Sequence, residues 1–186
     1  MSTARPAMLF DLDDTLFDHS GCARDALGVL RERYPALPAP APAVMAREYQ
    51  RVLEKQHLRV PAGELGIDEA HVRRFERLCA RAGIPVAADT AQEAAAACRT
   101  ADLAACLGAC RQADGAKDRL AAFEEICATG VVTNTPATEQ RRKLAVCGFD
   151  AFLDAVVIAE ETGRAKPDPA SSRPRWSASA AAWKRP

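Results

Sequence analysis

Two carboxylates separated by one residue, Asp11 and Asp13, are the side chains of this sequence best placed to do chemistry. They follow a short apolar run, residues 7–10, which is typical of a buried strand in a parallel sheet. Ligands of open α/β sheets bind just beyond the carboxyl ends of such strands, so we expect both side chains at a substrate site. Two carboxylates this close repel each other. A hard divalent cation such as Mg²⁺, which takes oxygen ligands and leaves room for phosphate, would relieve that repulsion.

The same acidic stretch has two other interpretations. A solvated acidic turn after a strand is the simplest of them. A calcium-binding loop is disfavoured, because the EF-hand pattern needs an acidic or amide residue at its fifth position and glycine at its sixth. Thr15 and Leu16 occupy those positions here. The pattern alone therefore leaves a metal-assisted phosphate site and a solvated turn open.

Residues 10–16, Phe-Asp-Leu-Asp-Asp-Thr-Leu, resemble the first motif (DxDxT) of the haloacid dehalogenase (HAD) superfamily, whose members are mostly phosphatases. The resemblance implies that Asp11 is a nucleophile that forms an aspartyl-phosphate. It also implies that Asp13 is the general acid/base that protonates the leaving oxygen. A carboxylate nucleophile of this kind divides one difficult displacement into two easier steps. Dehalogenases of the superfamily lack an acid at the second position, so Asp13 favours phosphoryl chemistry.

Two later segments resemble the next motifs of the family. Residues 131–134, Val-Val-Thr-Asn, resemble the second motif, in which Thr133 hydrogen-bonds a phosphate oxygen and the backbone N–H of Asn134 assists. Residues 165–169, Ala-Lys-Pro-Asp-Pro, resemble the third motif, in which Lys166 neutralises the nucleophile and the bound phosphoryl group. Each segment alone is a weak signal. Together, in the family's order, they imply one phosphoryl site at three strand ends.

The chain between the first two motifs is predicted to be helical. Apolar residues recur at helical spacing, with little strand signal. A helical insert at this point resembles the cap of one HAD class, which closes over the site, excludes water and selects substrate. A helical bundle with no gating role is the alternative. The predicted segments are helices over residues 19–34, 43–58, 68–82 and 90–110, and a Pro/Ala connector over 35–42.

The remaining sequence predicts an α/β core, and the resemblance implies its fold class. That class is a three-layer Rossmann-like core with a parallel sheet, plus an α-helical cap. The helix after Thr135 carries Gln140, Arg141, Arg142 and Lys143, and we interpret its positive charges as a solvated face. The expected parts are a core over residues 1–18 and 112–170 and a cap over residues 19–111.

The sequence departs from the family after Pro169. The family continues with a helix, a fourth strand beside the first, and a fourth motif whose acids complete the magnesium site. Nothing acidic follows Asp168. Ala170–Ala180 can be written with codons that, after insertion of one nucleotide, encode a different sequence in the shifted frame. That sequence has the pattern of an amphipathic helix. Residues 171–186 are therefore interpreted as an aberrant, frameshifted or disordered tail, with a genuine short tail as the alternative.

The departure changes what we expect of the fold and the activity. The sheet should lack its last strands, which would leave the first strand as an exposed apolar edge. A Mg²⁺ bound by Asp11 and the backbone carbonyl of Asp13 would have no fourth-motif carboxylate. We therefore expect a Mg²⁺-dependent phosphatase of a small phosphorylated metabolite, impaired in this chain. The alternatives are an inactive remnant, a phosphate-binding protein and a phosphomutase.

Composition limits the partners and the compartment. Lys+Arg and Asp+Glu each number 25, so no basic excess predicts binding to nucleic acid or to a membrane surface. The cysteines number 7, an odd count without a CxxC pair, which favours reduced thiols in the cytoplasm. Cys106 and Cys110 are interpreted as small buried apolar residues, and His57 and His71 as ordinary surface or interface residues. No signal peptide or membrane-spanning run is visible, and the oligomeric state stays open.

Overall fold

The chain forms two compact units in this computed structural model. One contains Met1–Asp18 and Ala109–Pro186, and the other contains His19–Gly108. The predicted helix over residues 43–58 (residue 51 excepted), the connector over 35–42 and the tail from residue 172 lie outside the described residues. The residues that the structure describes are 6–33, 51, 59–60, 63–81, 85–134 and 136–171.

The first unit is α/β and the second is helical. A one-turn 3₁₀ helix, Phe149–Phe152, precedes the last strand. In chain order the described elements are β1 (Ala7–Phe10), α1 (His19–Arg33), α2 (Ile67–Arg81), α3 (Ala88–Gly108), α4 (Ala116–Ile126), β2 (Ala128–Thr133), α5 (Ala137–Cys147), β3 (Ala155–Ile158) and α6 (Ala159–Thr162).

The three strands form a parallel sheet in the order β1–β2–β3. Phe10 of β1 pairs with Val131 of β2, and Thr133 of β2 pairs with Ile158 of β3. Because the strands are parallel, their carboxyl ends lie at one edge of the sheet. The predicted α/β fold with a parallel sheet is confirmed, and the loops that leave this edge carry the candidate site.

β1 is less buried than its apolar sequence predicted. Ala7 is exposed, Met8 is 40% exposed, and Leu9 and Phe10 are half-buried. The expectation of a buried strand is wrong, because β1 is an edge strand in the described sheet. The central position belongs to β2, whose Val131 is fully buried. An exposed first strand is what we expected of a sheet that lacks the family's fourth strand.

β2 begins three residues before the predicted start and includes Gly130. A Cβ at Gly130 would lie 2.9 Å from Cδ2 of Leu9 and 3.2 Å from the carbonyl oxygen of Ala155. Both neighbouring strands therefore approach the backbone closely here, which glycine permits. Glycine has a different role after α5, where Gly148 adopts a left-handed conformation (φ 63°) and its N–H bonds the last carbonyls of the helix.

The helical unit packs small side chains between α1, α2 and α3. Alanine and cysteine fill much of this core, so its packing costs little side-chain entropy. Cys106 is buried as predicted, whereas Cys110 is exposed and its predicted burial is wrong. Within the part of the chain that the structure describes, none of the helices could span a membrane. The packed residues include Ala23, Ala26, Leu27, Phe75, Leu78, Ala91, Ala94, Ala95 and Cys98.

Candidate active site

A tight turn directly after β1 presents the two predicted carboxylates. The backbone N–H groups of Leu16 and Phe17 both donate to the carbonyl oxygen of Leu12, each at 3.0 Å. Leu12 and Phe17 are fully buried and anchor the turn. Asp14 adopts a left-handed conformation (φ 58°), which aspartate tolerates better than most residues. The turn therefore fixes where Asp11 and Asp13 leave the backbone.

Asp11 forms an ion pair with Lys166 across the sheet edge. The Lys166 Nζ lies 2.6 Å from Oδ1 of Asp11, and the backbone N–H of Leu12 donates to the same oxygen at 2.8 Å. The Asp11 side chain is 46% exposed and that of Lys166 is 30% exposed. Residues from the first and third predicted motifs thus meet at a point that a ligand can reach.

Asn134 links the second motif to the third through its side chain. Its Nδ2 donates to the backbone carbonyl of Lys166 at 3.0 Å, and its Oδ1 accepts from the backbone N–H of Lys166 at 2.7 Å. The Asn134 side-chain amide thus pairs its donor with the peptide carbonyl and its acceptor with the peptide N–H. The preceding residue, Thr133, ends β2 and is 2% exposed. The sequence predicted a role only for the backbone N–H of Asn134, whereas the structure shows its side chain holding the Lys166 backbone.

Asp13 is held by two side chains of α5. Nζ of Lys143 lies 2.7 Å from Oδ1 of Asp13, and Nε2 of Gln140 donates to Oδ2 at 2.8 Å. Lys143 is 2% exposed and Gln140 is fully buried. The interpretation of the positive charges of this helix as a solvated face is wrong for Lys143. It holds for Arg141 and Arg142, which are exposed.

This arrangement relieves the repulsion between the two acids without a metal ion, because each carboxylate has its own ammonium group. It also bears on which atoms fit Mg²⁺. Both side-chain oxygens of Asp13 accept hydrogen bonds from α5, so its backbone carbonyl is the better candidate ligand. Mg²⁺ is usually held by one or two carboxylates plus waters and phosphate oxygens. The exposed carboxylate of Asp11 and the Asp13 carbonyl therefore fit the predicted cation.

A separate polar cluster lies inside the helical unit. Sγ of Cys106 lies 3.7 Å from Nδ1 of His19 and 3.9 Å from Oδ1 of Asp102.

His71, predicted to be an ordinary surface or interface residue, is half-buried in the helical unit. The pKa of His71 is lowered to about 3, mainly by burial. The positive charges of Arg74 and Arg99 and the nearby His19 lower it further. His71 is therefore neutral in the folded protein at neutral pH.

The pKa of His71 predicts a loss of stability in mild acid. Below pH 6.5 the unfolded chain binds a proton at His71 that the folded chain does not bind until about pH 3. The free energy of unfolding should therefore fall as the pH drops through this window, by about 1–2 kcal/mol between roughly pH 7 and pH 5. We expect His71→Gln, which cannot titrate, to reduce this dependence. Urea unfolding at several pH values measures it, and identical pH slopes for the two proteins would contradict the prediction.

Several solved structures have a fold similar to that of this chain. The chain resembles the magnesium-bound HAD-hydrolase YfnB of Bacillus subtilis (TM-score 0.68, 22% identity, covering 95% of this chain and 75% of that one). It also resembles a defluorinating L-2-haloacid dehalogenase (TM-score 0.62, 16% identity, 90% and 65% covered). A third similar structure is the L-2-haloacid dehalogenase of Xanthobacter autotrophicus (TM-score 0.60, 19% identity, 91% and 62% covered).

The chain spans less than two thirds of the length of these two dehalogenases. Sequence identities of 16–22% to these solved structures establish the fold alone. A comparison with curated proteins found no match. The sequence model of one family, described as haloacid dehalogenase-like hydrolase, matches residues 6–173. That match includes β1, the whole helical unit and the loop that carries Lys166. The chain therefore belongs to the haloacid dehalogenase-like hydrolases.

Proposed function

We propose that this protein is a Mg²⁺-dependent phosphatase that hydrolyses a small phosphorylated metabolite through an aspartyl-phosphate on Asp11. The observation that carries the proposal is the side chain of Asp13 and its buried partners on α5. A halide is a weak base and leaves without a proton, whereas the alkoxide of a phosphate ester needs a proton donor. Asp13 supplies such a group, and its two hydrogen bonds to α5 distinguish it from an acid of a solvated turn.

In the first step, the Asp11 carboxylate attacks the phosphorus atom. Oδ1 of Asp11 carries the contacts to Lys166 and Leu12, which leaves Oδ2 to form the new bond. The bond from phosphorus to the ester oxygen breaks as that oxygen takes a proton from Asp13. The Lys166 ammonium offsets the negative charges that Asp11 and the phosphoryl group bring together. The Thr133 hydroxyl and the Asn134 backbone N–H are proposed to bind phosphoryl oxygens.

In the second step, water attacks the phosphorus atom of the aspartyl-phosphate. Asp13 takes the proton that the water loses, and the bond between phosphorus and Asp11 breaks. Inorganic phosphate leaves, Asp11 is again a carboxylate, and Asp13 is again the protonated acid that the first step requires. Bound to Asp11 and the Asp13 carbonyl, Mg²⁺ would supply positive charge for the phosphoryl oxygens.

Dehalogenation is the second candidate, and the solved relatives favour it. Two of the similar structures are L-2-haloacid dehalogenases. The ion pair of Asp11 and Lys166 would serve a displacement at carbon as well as one at phosphorus. That reaction gives no role to Asp13 as a proton donor, and this difference makes the two candidates separable by their products.

The test measures both products from the same preparation. Phosphate release is followed with 4-nitrophenyl phosphate and a panel of phosphorylated metabolites, with Mg²⁺ and with a chelator. Halide release is followed with 2-chloropropionate. We expect phosphate release that requires Mg²⁺ and no halide release. Halide release without phosphate release would establish the dehalogenase. If neither phosphate nor halide were released, the result would favour an inactive remnant.

A further inference from the structure

We infer that Lys143 and Gln140 are positioning residues for the Asp13 carboxylate, which they fix in orientation for proton transfer to and from the substrate. The inference rests on the proposed phosphatase function and adds two residues to its site. Both lie on α5, far from Asp13 in the sequence, and neither belongs to the three motifs that identified the candidate site. The argument for them comes from their burial and from the geometry of their contacts.

The burial of Lys143 is the first observation. Removing an ammonium from water is costly, and a buried ion pair often contributes no more stability than apolar residues of the same size. Lys143 nevertheless lies 2% exposed, with Nζ 2.7 Å from Asp13 and 5.3 Å from the centre of the Phe17 ring. Because such a pair is a poor source of stability, its position beside the proposed acid/base points to a role at Asp13.

The buried amide of Gln140 is the second observation. Its Nε2 donates to Asp13, whereas its Oε1 is buried with no hydrogen-bond partner among the described residues. A buried polar atom left in this way is destabilising. Turning the amide over would place Oε1 against the carboxylate, where two acceptors repel. The contact with Asp13 therefore determines the orientation of the Gln140 amide.

The geometry of the two contacts is the third observation. Lys143 bonds Oδ1 of Asp13 and Gln140 bonds Oδ2, so the plane of the carboxylate is fixed as well as its position. A carboxylate has about four lone-pair sites, more than these two contacts use. The Asp13 side chain remains 20% exposed, which leaves it open to a substrate oxygen or a water molecule.

This role predicts a dependence on the leaving group. A poor leaving group, such as the alkoxide of an alkyl phosphate, needs proton donation by Asp13, whereas 4-nitrophenolate leaves without much help. We expect Lys143→Met, which preserves volume on α5, to lower kcat/KM for an alkyl phosphate by about 10²-fold. For 4-nitrophenyl phosphate we expect a loss below about 5-fold, because kcat/KM there reports a first step that hardly needs the acid.

Two further variants make the test decisive. Gln140→Leu should show the same leaving-group dependence with a smaller loss, and it tests the inference if Lys143→Met does not fold. Arg142→Met is the matched control, since it removes one positive charge from an exposed position of the same helix. Thermal unfolding checks that each variant is folded. We expect the control to match the wild type with both substrates.

The outcomes separate the inference from the function it rests on. Equal losses for both substrates, or no loss with either, would show that Lys143 and Gln140 are structural and would overturn the inference alone. Wild-type protein that releases no phosphate from either substrate would overturn the proposed function, and the inference with it. A loss confined to the poor leaving group supports both.

Discussion

Asp11→Asn should abolish phosphate release, with kcat reduced by about 10⁴-fold or more. The amide has nearly the shape of the carboxylate, but it has lost the charged oxygen that attacks phosphorus. The substitution also removes the negative charge that pairs with Lys166 at 2.6 Å. Because the Asp11 side chain is 46% exposed, we expect little change in the free energy of unfolding. Steady-state assays with 4-nitrophenyl phosphate, together with urea unfolding, measure both quantities.

Asp14→Asn is the matched control for this experiment. It makes the same chemical change three residues later, at an exposed position whose left-handed backbone (φ 58°) suits asparagine. We expect this variant to retain most of the wild-type activity. An Asp11→Asn protein with activity similar to that of the control would exclude Asp11 as the nucleophile.

Lys166→Met should lower kcat by about 10²–10³-fold, the range found when one preorganised charged or polar donor is removed from a transition state. The ammonium lies where negative charge from Asp11 and the phosphoryl group accumulates, and methionine retains the length of the side chain without its charge. Asn134→Ala should cause a smaller loss, because Asn134 acts on the Lys166 backbone through its two hydrogen bonds. Steady-state kinetics at saturating substrate measures both losses.

Arg164→Met controls for the loss of a positive charge from the same loop. Arg164 is exposed and lies two residues before Lys166. If the two methionine variants lost activity equally, the effect would be one of general charge or loop structure. The account requires a loss specific to Lys166, the residue that contacts Asp11.

The sequence predicted the elements of the fold better than their burial. Apolar runs ended by polar residues identified the strands, and helical spacing identified the insert. From its apolar run alone β1 was expected to be buried, and it was expected to be exposed only because the family's fourth strand is missing after Pro169. Burial at a sheet edge depends on which segment covers it, and that information is absent from the strand itself. The apolar pattern of residues 7–10 could therefore predict a strand but not its place in the sheet.

The candidate site was predicted only where local motifs carried it. Asp11 and Lys166 were expected to converge because their segments resemble motifs of one phosphoryl site, and their side chains form an ion pair. Gln140 and Lys143 were missed, because a polar side chain on a helix is normally solvated. Their partner, Asp13, lies on another element far away in the chain. The one available signal was position, since both share the face of α5 that buries Leu144.

The covalent intermediate on Asp11 offers the most direct test of the central claim. The protein is mixed with substrate, quenched in acid within one turnover, and treated with borohydride, which reduces an acyl phosphate of aspartate to homoserine. Peptide mass spectrometry then locates the modified residue. The account predicts homoserine at position 11, absent from Asp11→Asn. Phosphate release with position 11 unmodified, or with phosphate on another side chain, would contradict it.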